Sequence, residues 1–357
     1  MKEKWIFPDD YRSLLSPYET ELAIQRLRDY FQTQLSVALN LRRVTAPILV
    51  KSDTGINDDL NGVEQPVSFE LKNGGGIKVE IVQSLAKWKR LTLAELDLKE
   101  GEGIYTDMNA LRPDEELDNL HSVYVDQWDW ERVIGREQRT LDFLKYIVRK
   151  IYRVIRETEV YMHHQYPVIT PILPERITFI QANDLARQYP ELNPKQREDA
   201  ACRKDGALFI IGIGAPLADG RPHDGRAPDY DDWTTSNGEG IGLNGDILVW
   251  YPLLNQAVEL SSMGIRVDAA ALERQLDLTN TLDRRSLYFH SQLLSGRLPL
   301  SIGGGIGQSR LCLFCLRKAH IGEVQAGIWP EETLELCDRF PIYAGPVSYT
   351  HLRAHET

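Results

Sequence analysis

Residues 303–310 read Gly-Gly-Gly-Ile-Gly-Gln-Ser-Arg, and an apolar run, Leu311-Cys312-Leu313-Phe314-Cys315-Leu316, follows at once. Without a Cβ, glycine backbone can approach a flat or charged ligand closely. The start of a helix offers free N–H groups and the positive end of a dipole. Arg310 adds a planar, permanently charged fork that can stack on a base or grip a phosphate. The stretch therefore reads as a nucleotide platform, and its bland alternative is a glycine-rich turn before a core helix. It is not the dinucleotide fingerprint in its usual setting, and the chain holds no Gly-Lys-Ser/Thr phosphate loop. What needs explaining is glycine at alternate positions, Gly303, Gly305 and Gly307, followed by Arg310.

The 357 residues are enough for one large domain or two modest ones. Hydrophobic residues make up 42% and charged residues 26% of the chain, so a sizeable packed core is expected. No apolar run approaches the length of a membrane span, roughly 18 residues. The N-terminus MKEKWIFPDDY is no signal peptide. A cytoplasmic protein without a membrane partner is the expectation. A net charge of -11 argues against a nucleic-acid-binding body, though a small basic patch stays possible. Of the four cysteines, Cys312 and Cys315 form a CxxC inside the apolar run. With no second ligand pair, they read as core rather than metal or redox residues.

Ser16-Pro17 opens a first helix, Ser16 as cap and Pro17 at the first helical position. Its stripe is Leu22, Leu27, Tyr30, Phe31, Leu35 and Leu39. One strand is expected over residues 44–50, where Pro47 points to an edge or interface. A hairpin is expected over residues 67–82 around Lys72-Asn73-Gly74-Gly75-Gly76, then strands at 103–106 and 121–128. A long amphipathic helix spans residues 140–161, with Leu144, Ile147, Val148, Ile151 and Ile155 on one face. Asn193-Pro194 starts another helix, and residues 207–212 form a buried strand. The polar loop 214–242 is long enough to be functional or disordered. Strands at 246–250 and 257–261, a helix capped by Asp268 and a helix over 284–294 precede the glycine stretch. Residues 1–335 read as one α+β domain on an antiparallel sheet flanked by helices. Residues 336–357 read as a partly non-native tail, because Val347–Thr357 resembles a translated adapter.

The glycine–arginine pattern at 303–310 resembles the third signature motif of class II aminoacyl-tRNA synthetases. The helix ending at Leu41-Arg42-Arg43 with the segment to Leu49 is similar to the first motif, which forms a dimer interface. Leu111-Arg112-Pro113-Asp114-Glu115 resembles the second, which sets an arginine on the ATP α-phosphate. Glu259-Leu260-Ser261-Ser262-Met263-Gly264-Ile265-Arg266 resembles a motif of aspartyl-tRNA synthetases that keeps Glu and Arg at this separation. Ser84-Leu85-Ala86-Lys87-Trp88-Lys89 resembles their aspartate-contacting segment. A closer resemblance covers nearly the whole chain to about Pro330. Gln83–Arg90, Ala110–Glu115, His121–Val133, Ala227–Trp233, Leu243–Trp250, Glu259–Asp268 and Gly303–Leu311 look like ammonia-dependent asparagine synthetases of the bacterial A type. Two departures stand out: Gln83 replaces a histidine, and Asp58-Asp59 stands where Asp-Asn is expected.

This resemblance implies a class II synthetase-like core without an anticodon domain. It implies ATP-dependent formation of asparagine from L-aspartate and ammonia through β-aspartyl-AMP, releasing AMP and pyrophosphate. Arg112, His121, Glu259 and Arg310 would bind ATP. Asp246 and Glu259 would hold Mg2+, a hard cation that takes one or two carboxylates plus phosphates, although their spacing is longer than in the synthetases. Asp58, Ser84, Lys89, Gln127, Asp129, Asp231, Ser262 and Arg266 would bind aspartate, with Lys89 and Arg266 gripping its carboxylates. Asp58, Arg112 and Gln127 would act in catalysis, Asp58 taking the proton from ammonium. No glutamine-hydrolysing module is visible, and a homodimer without nucleic acid is expected. Two rivals stay open: an aspartyl-tRNA synthetase relative acting on RNA, and a non-catalytic protein that binds asparagine or AMP.

Overall fold

Ser16 starts the first helix as its chemistry demands. In the computed structural model, which describes residues 5–6, 8, 10–58 and 64–339, the Ser16 hydroxyl accepts the Glu19 N–H. The Glu19 carboxylate accepts the Ser16 N–H in return, so two orphan donors are satisfied reciprocally. Helix α1 (Pro17–Leu39) buries Ala23, Leu27, Phe31, Leu35 and Leu39. It ends on Asn40 in the left-handed region, with φ 57°. Next come β1 (Leu41–Arg43), β2 (Leu49–Lys51), a hairpin of β3 (Ser68–Glu70) and β4 (Lys78–Ile81), then α2 (Ala86–Glu95). Strands β5 (Gly103–Leu111) and β6 (Tyr124–Val133) precede the long helix α3 (Leu141–Gln165). The middle carries β7 (Thr178–Gln181), α4 (Ala182–Gln188), α5 (Pro194–Asp205) and β8 (Ala207–Ile211). Beyond an irregular segment lie β9 (Asn244–Tyr251), β10 (Gln256–Ile265), α6 (Ala269–Leu278) and α7 (Tyr288–Leu294). The described chain closes with β11 (Ser301–Gly307), α8 (Gln308–Cys315) and α9 (Glu331–Arg339).

Eight strands form one sheet in the order β1-β5-β6-β11-β10-β9-β8-β7, and β2, β4 and β3 form a small second sheet. The six strands from β5 to β8 pair antiparallel, whereas β1 and β7 add at the two edges in parallel. Helices α1 and α3 pack on each other, with Tyr30 stacked on Tyr161 at 4.2 Å, and cover one face of the sheet. Trp128 and Trp130 of β6 point into that helical layer, where Phe31 lies 4.6 Å from Trp128. Fully burying one such ring stabilises the fold by about 1.5–3 kcal/mol. Period-two geometry sends the alternate residues of β6, Gln127, Asp129 and Glu131, to the opposite face.

Several boundaries depart from the sequence reading: the strands expected at 103–106 and 257–261 run on to Leu111 and Ile265, and the one expected at 121–128 lies at Tyr124–Val133. Residues 44–50 are not one strand: β1 ends at Arg43 just before them, Pro47 cannot donate to a ladder, and β2 begins only at Leu49. The helix over 284–294 starts as a 3-10 turn, Leu282–Ser286, and turns α-helical only at Tyr288, after an extended Leu287. The domain edge at 335 falls inside α9, which runs to Arg339 and buries Cys337; residues 340–357 of the expected tail lie outside the described residues.

Candidate active site

The polar face of the central strands opens into a cleft of about 370 Å³. Its floor is β6, β11 and β10, and the glycines there have a steric role. A Cβ on Gly303 would overlap a Glu131 carboxylate oxygen, and one on Gly305 would overlap Gln127 Oε1. Neither has positive φ. Glycine is needed because side chains of the neighbouring strands lie flat across the floor, not because a loop wraps a phosphate. The reading of free N–H groups at the following helix also fails in part, since the Ser309 N–H donates to Asp126 at 3.0 Å. Asp126 accepts the Ser309 hydroxyl as well and pairs with Arg28 of α1 at 2.8 Å, which fixes the start of α8 and hence Arg310.

At the inner end the charges already have partners. Lys89, on α2, lies 3.0 Å from Asp129 and donates to the Gly304 carbonyl at 3.0 Å. Burial lowers the Lys89 pKa, and Asp129 opposes that. Arg266 donates to Glu131 from Nε at 3.0 Å and from Nη2 at 2.8 Å, while its Nη1 pairs with Asp231. Ser301 donates to the same Glu131 at 2.7 Å. Burial would raise Glu131, but Arg266 outweighs it and holds the acid below its ordinary value. For Asp231 burial wins and the pKa rises, even with Arg266 beside it. Arg266 thus takes its expected place in the cleft with its fork already accepted by Glu131 and Asp231.

Arg266 and Glu259 share this face because of a bulge. Seven residues apart on a regular strand, they would point to opposite faces. In β10 the register against β9 shifts between Glu259 and Ser261, and the extra residue resets the alternation.

The outer end is looser. The Arg310 guanidinium is 3.8 Å from the Glu259 carboxylate and donates to the Glu259 carbonyl at 3.2 Å. Arg112 is 3.9 Å from Glu115 and reaches the Gln83 carbonyl at 3.4 Å. His121 Nδ1 lies 2.8 Å from Asp118. Burial would raise Glu259, but Arg310, Arg226 and His121 together lower it.

Asp58, Ser84, Lys89, Arg112, His121, Gln127, Asp129, Asp231, Glu259, Ser262, Arg266 and Arg310 all line the cleft. Asp58 is buried at its wall, whereas Asp59 lies outside the described residues. Asp246 is the exception. It sits behind Arg226, whose Nη2 is 2.5 Å from its carboxylate and 3.1 Å from Ser262 Oγ. Burial raises Asp246 to about 7; Arg226 pulls the other way, and the Glu259 charge adds to the rise. Among the described residues no group of three or more His, Cys, Asp or Glu side chains is arranged to hold a metal. The donor set still suits Mg2+ carried in by a nucleotide: a hard carboxylate in the cleft wall, Glu259, and a second, Asp246, on the adjacent strand. Sequence reasoning missed Glu131, Arg226 and Tyr230. Period-two continuation of Gln127 and Asp129 would have found Glu131, but the strand expected over 121–128 stops short of it. Cys312 and Cys315 are buried free thiols, and burial pushes Cys312 up to about 12, as a core reading requires.

A family model described as aspartate-ammonia ligase matches residues 18–340. The chain belongs to the aspartate–ammonia ligase family. The aspartate–ammonia ligase of Parabacteroides distasonis is 59% identical over 92% of this chain and 95% of its own. That of Bacteroides thetaiotaomicron is 57% identical over 95% and 98%, and that of Clostridium perfringens strain SM101 is 54% identical over 96% and 99%. Among solved structures, asparaginyl-tRNA synthetase from Pyrococcus horikoshii, complexed with asparaginyl-adenylate, superposes with a TM-score of 0.64. The match covers 87% of this chain and 70% of that one at 16% identity. Aspartyl-tRNA synthetase from Entamoeba histolytica gives a TM-score of 0.55 at 14% identity, covering 86% and 58%. At such identities the likeness is one of fold, and this chain has the class II synthetase architecture expected from the motifs.

Proposed function

We propose that the chain joins L-aspartate and ammonia into L-asparagine at the expense of ATP, through a β-aspartyl-AMP intermediate. One observation carries the reading: one cleft on the class II sheet joins an inner end lined by paired cations and acids to an outer end with two partly exposed arginines. A free carboxylate is a poor electrophile, so amide formation requires its activation. Lys89 and the Asp231 side of Arg266 orient the aspartate carboxylates. Asp58 and Gln127 face the reacting centre, and Asp58 takes a proton from ammonium so that ammonia can attack. Arg112 offsets charge growing on the α-phosphate, an electrostatic role usually among the largest in such reactions. Arg310 stacks on the base and touches phosphate. Mg2+ would be held by Glu259 with Asp246 beside it, and bound there it would neutralise phosphate charge.

In the same reading the enzyme is a cytoplasmic homodimer. Among the described residues no helix is long and apolar enough to cross a membrane, and Val37 and Ile48 are exposed on the helix and segment of the first motif. Sedimentation at micromolar concentration should show a dimer, and a monomer would remove that part. The function is tested by product analysis with aspartate, ATP and Mg2+ and either ammonium or glutamine. AMP, pyrophosphate and asparagine with ammonium are expected; ADP and phosphate, or a requirement for glutamine, would overturn the reading.

A further inference from the structure

Behind the cleft, three basic side chains converge on one buried carboxylate. Asp229 Oδ2 lies 3.1 Å from Lys87 Nζ, 3.0 Å from His290 Nε2 and 3.4 Å from Arg284 Nη1. Asp229, Lys87 and His290 are all buried, and none of them lines the cleft. Burial would raise the Asp229 pKa; Lys87 and then His290 overcome it and hold the acid well below the usual carboxylate range.

The cluster joins three elements that each supply the inner end of the site. Lys87 and Lys89 are two residues apart on α2, so they point to different sides of the helix. Lys89 takes the cleft and Lys87 the anchor. Asp229 directly precedes Tyr230 and Asp231, both cleft residues. His290, on α7, packs against the segment leading to Asp58: a Cβ on Gly55 (φ +69°) would sit 3.0 Å from the His290 ring. The Phe289 N–H also donates to the Thr54 carbonyl at 3.2 Å. Among the described residues, the polar contacts of Asp229 run to these bases and not to Arg112, Glu259 or Arg310 at the outer end.

We infer that Asp229 and His290 are positioning residues that lock α2, the Tyr230–Asp231 segment and the Asp58 segment into one arrangement around the aspartate. Charge-assisted hydrogen bonds in a low dielectric are strong and geometrically selective. A displacement of about 1 Å in a reacting or orienting group can lower the rate by about a hundredfold. The inference rests on the reading that the inner end binds aspartate.

Steady-state pyrophosphate release by the full chain tests it, with aspartate and ATP varied separately. His290→Ala should raise the aspartate KM about tenfold and lower kcat, leaving the ATP KM within about twofold. His290→Gln, whose amide N–H can still reach Asp229, should recover most of the loss. Asp229→Asn should reproduce the selective defect, and the double variant with His290→Ala should be no worse than the worse single, because the two act as a unit. Asp229→Asn leaves Lys87 and Arg284 facing a neutral amide; if it does not fold, the two His290 variants decide alone. Equal movement of both KM values, a lower melting temperature with unchanged kinetics, or no recovery in His290→Gln would overturn the anchor. A wild-type chain that releases no pyrophosphate sinks the functional reading itself, which is a different outcome from an active wild type whose variants lack selectivity.

Discussion

The two ends of the cleft are built on opposite plans. At the inner end Lys89, Arg266, Asp129, Glu131 and Asp231 are buried, and each ion pair closes within 3.0 Å. At the outer end Arg112 and Arg310 keep 22% and 23% of their side chains exposed, and their nearest carboxylates are 3.9 and 3.8 Å away. The inner end is already organised by its own charges, so a substrate there meets fixed groups and little reorganisation remains. The outer end has cations each held by one long ion pair and one carbonyl contact, suited to a polyanion that arrives with its own metal ion. Damage to the inner end should therefore cost both fold and function, and damage to the outer end function alone.

Arg266→Ala is the most severe way to probe this difference. It leaves Glu131 and Asp231 buried without their cation, a destabilisation of about 3–5 kcal/mol, and should nearly abolish aspartate-dependent turnover. Arg266→Lys should fail too, because an ammonium cannot reproduce the fork that Glu131 accepts. Denaturation curves beside kinetics read both effects; a stable Arg266→Ala protein with a normal aspartate KM would erase the contrast. Next in size is Gly305→Ala. Its methyl group would displace Gln127 and crowd Asp129. The kcat/KM for aspartate should then fall by about a hundredfold while thermal stability changes less. An active Gly305→Ala enzyme would mean the floor gives way more easily than the inner end's packing implies.

Arg310→Ala belongs to the other plan. ATP use should weaken by about 1–3 kcal/mol with the melting temperature unchanged. Only a 3.8 Å pair and one carbonyl contact are lost. An unchanged ATP dependence would take Arg310 off the nucleotide. A separate effect concerns Asp246 and stability alone. Its pKa in the folded state, about 7, lies above its ordinary value of 3.8, so the native chain holds an extra proton between the two. That contribution is complete below pH 3.8 and is lost as pH rises through 7. The melting temperature of wild type relative to Asp246→Asn should therefore drop as the medium goes from acid to mildly alkaline, and a rise would contradict the burial assigned to Asp246.

Local chemistry made much of the fold legible. Ser16, Asn193 and Asp268 cap helices because each side chain satisfies an N–H a few residues on. The hairpin at 68–81 followed from its Asn-Gly-Gly-Gly turn, and motif order brought twelve of the named side chains to one cleft. Pairing was not legible. Glu131 and Arg266 are 135 residues apart, and their contact depends on the register of β6, β11 and β10, which no local pattern states. The bulge that turns Glu259 and Arg266 to one face is visible only against β9. Asp246 shows the same limit: its place before Glu259 gives no sign that the irregular segment before it lays Arg226 across its carboxylate.

In the proposed reaction the aspartate side chain is activated by attack on the α-phosphate. Aspartate carrying heavy oxygen in its side-chain carboxylate tests this directly in a turnover with ATP, Mg2+ and ammonium. When the acyl–adenylate bond is broken by ammonia, one labelled oxygen leaves with the phosphorus it attacked. Heavy oxygen is expected in AMP and none in pyrophosphate. Label in inorganic phosphate, or unlabelled AMP alongside asparagine, would contradict it.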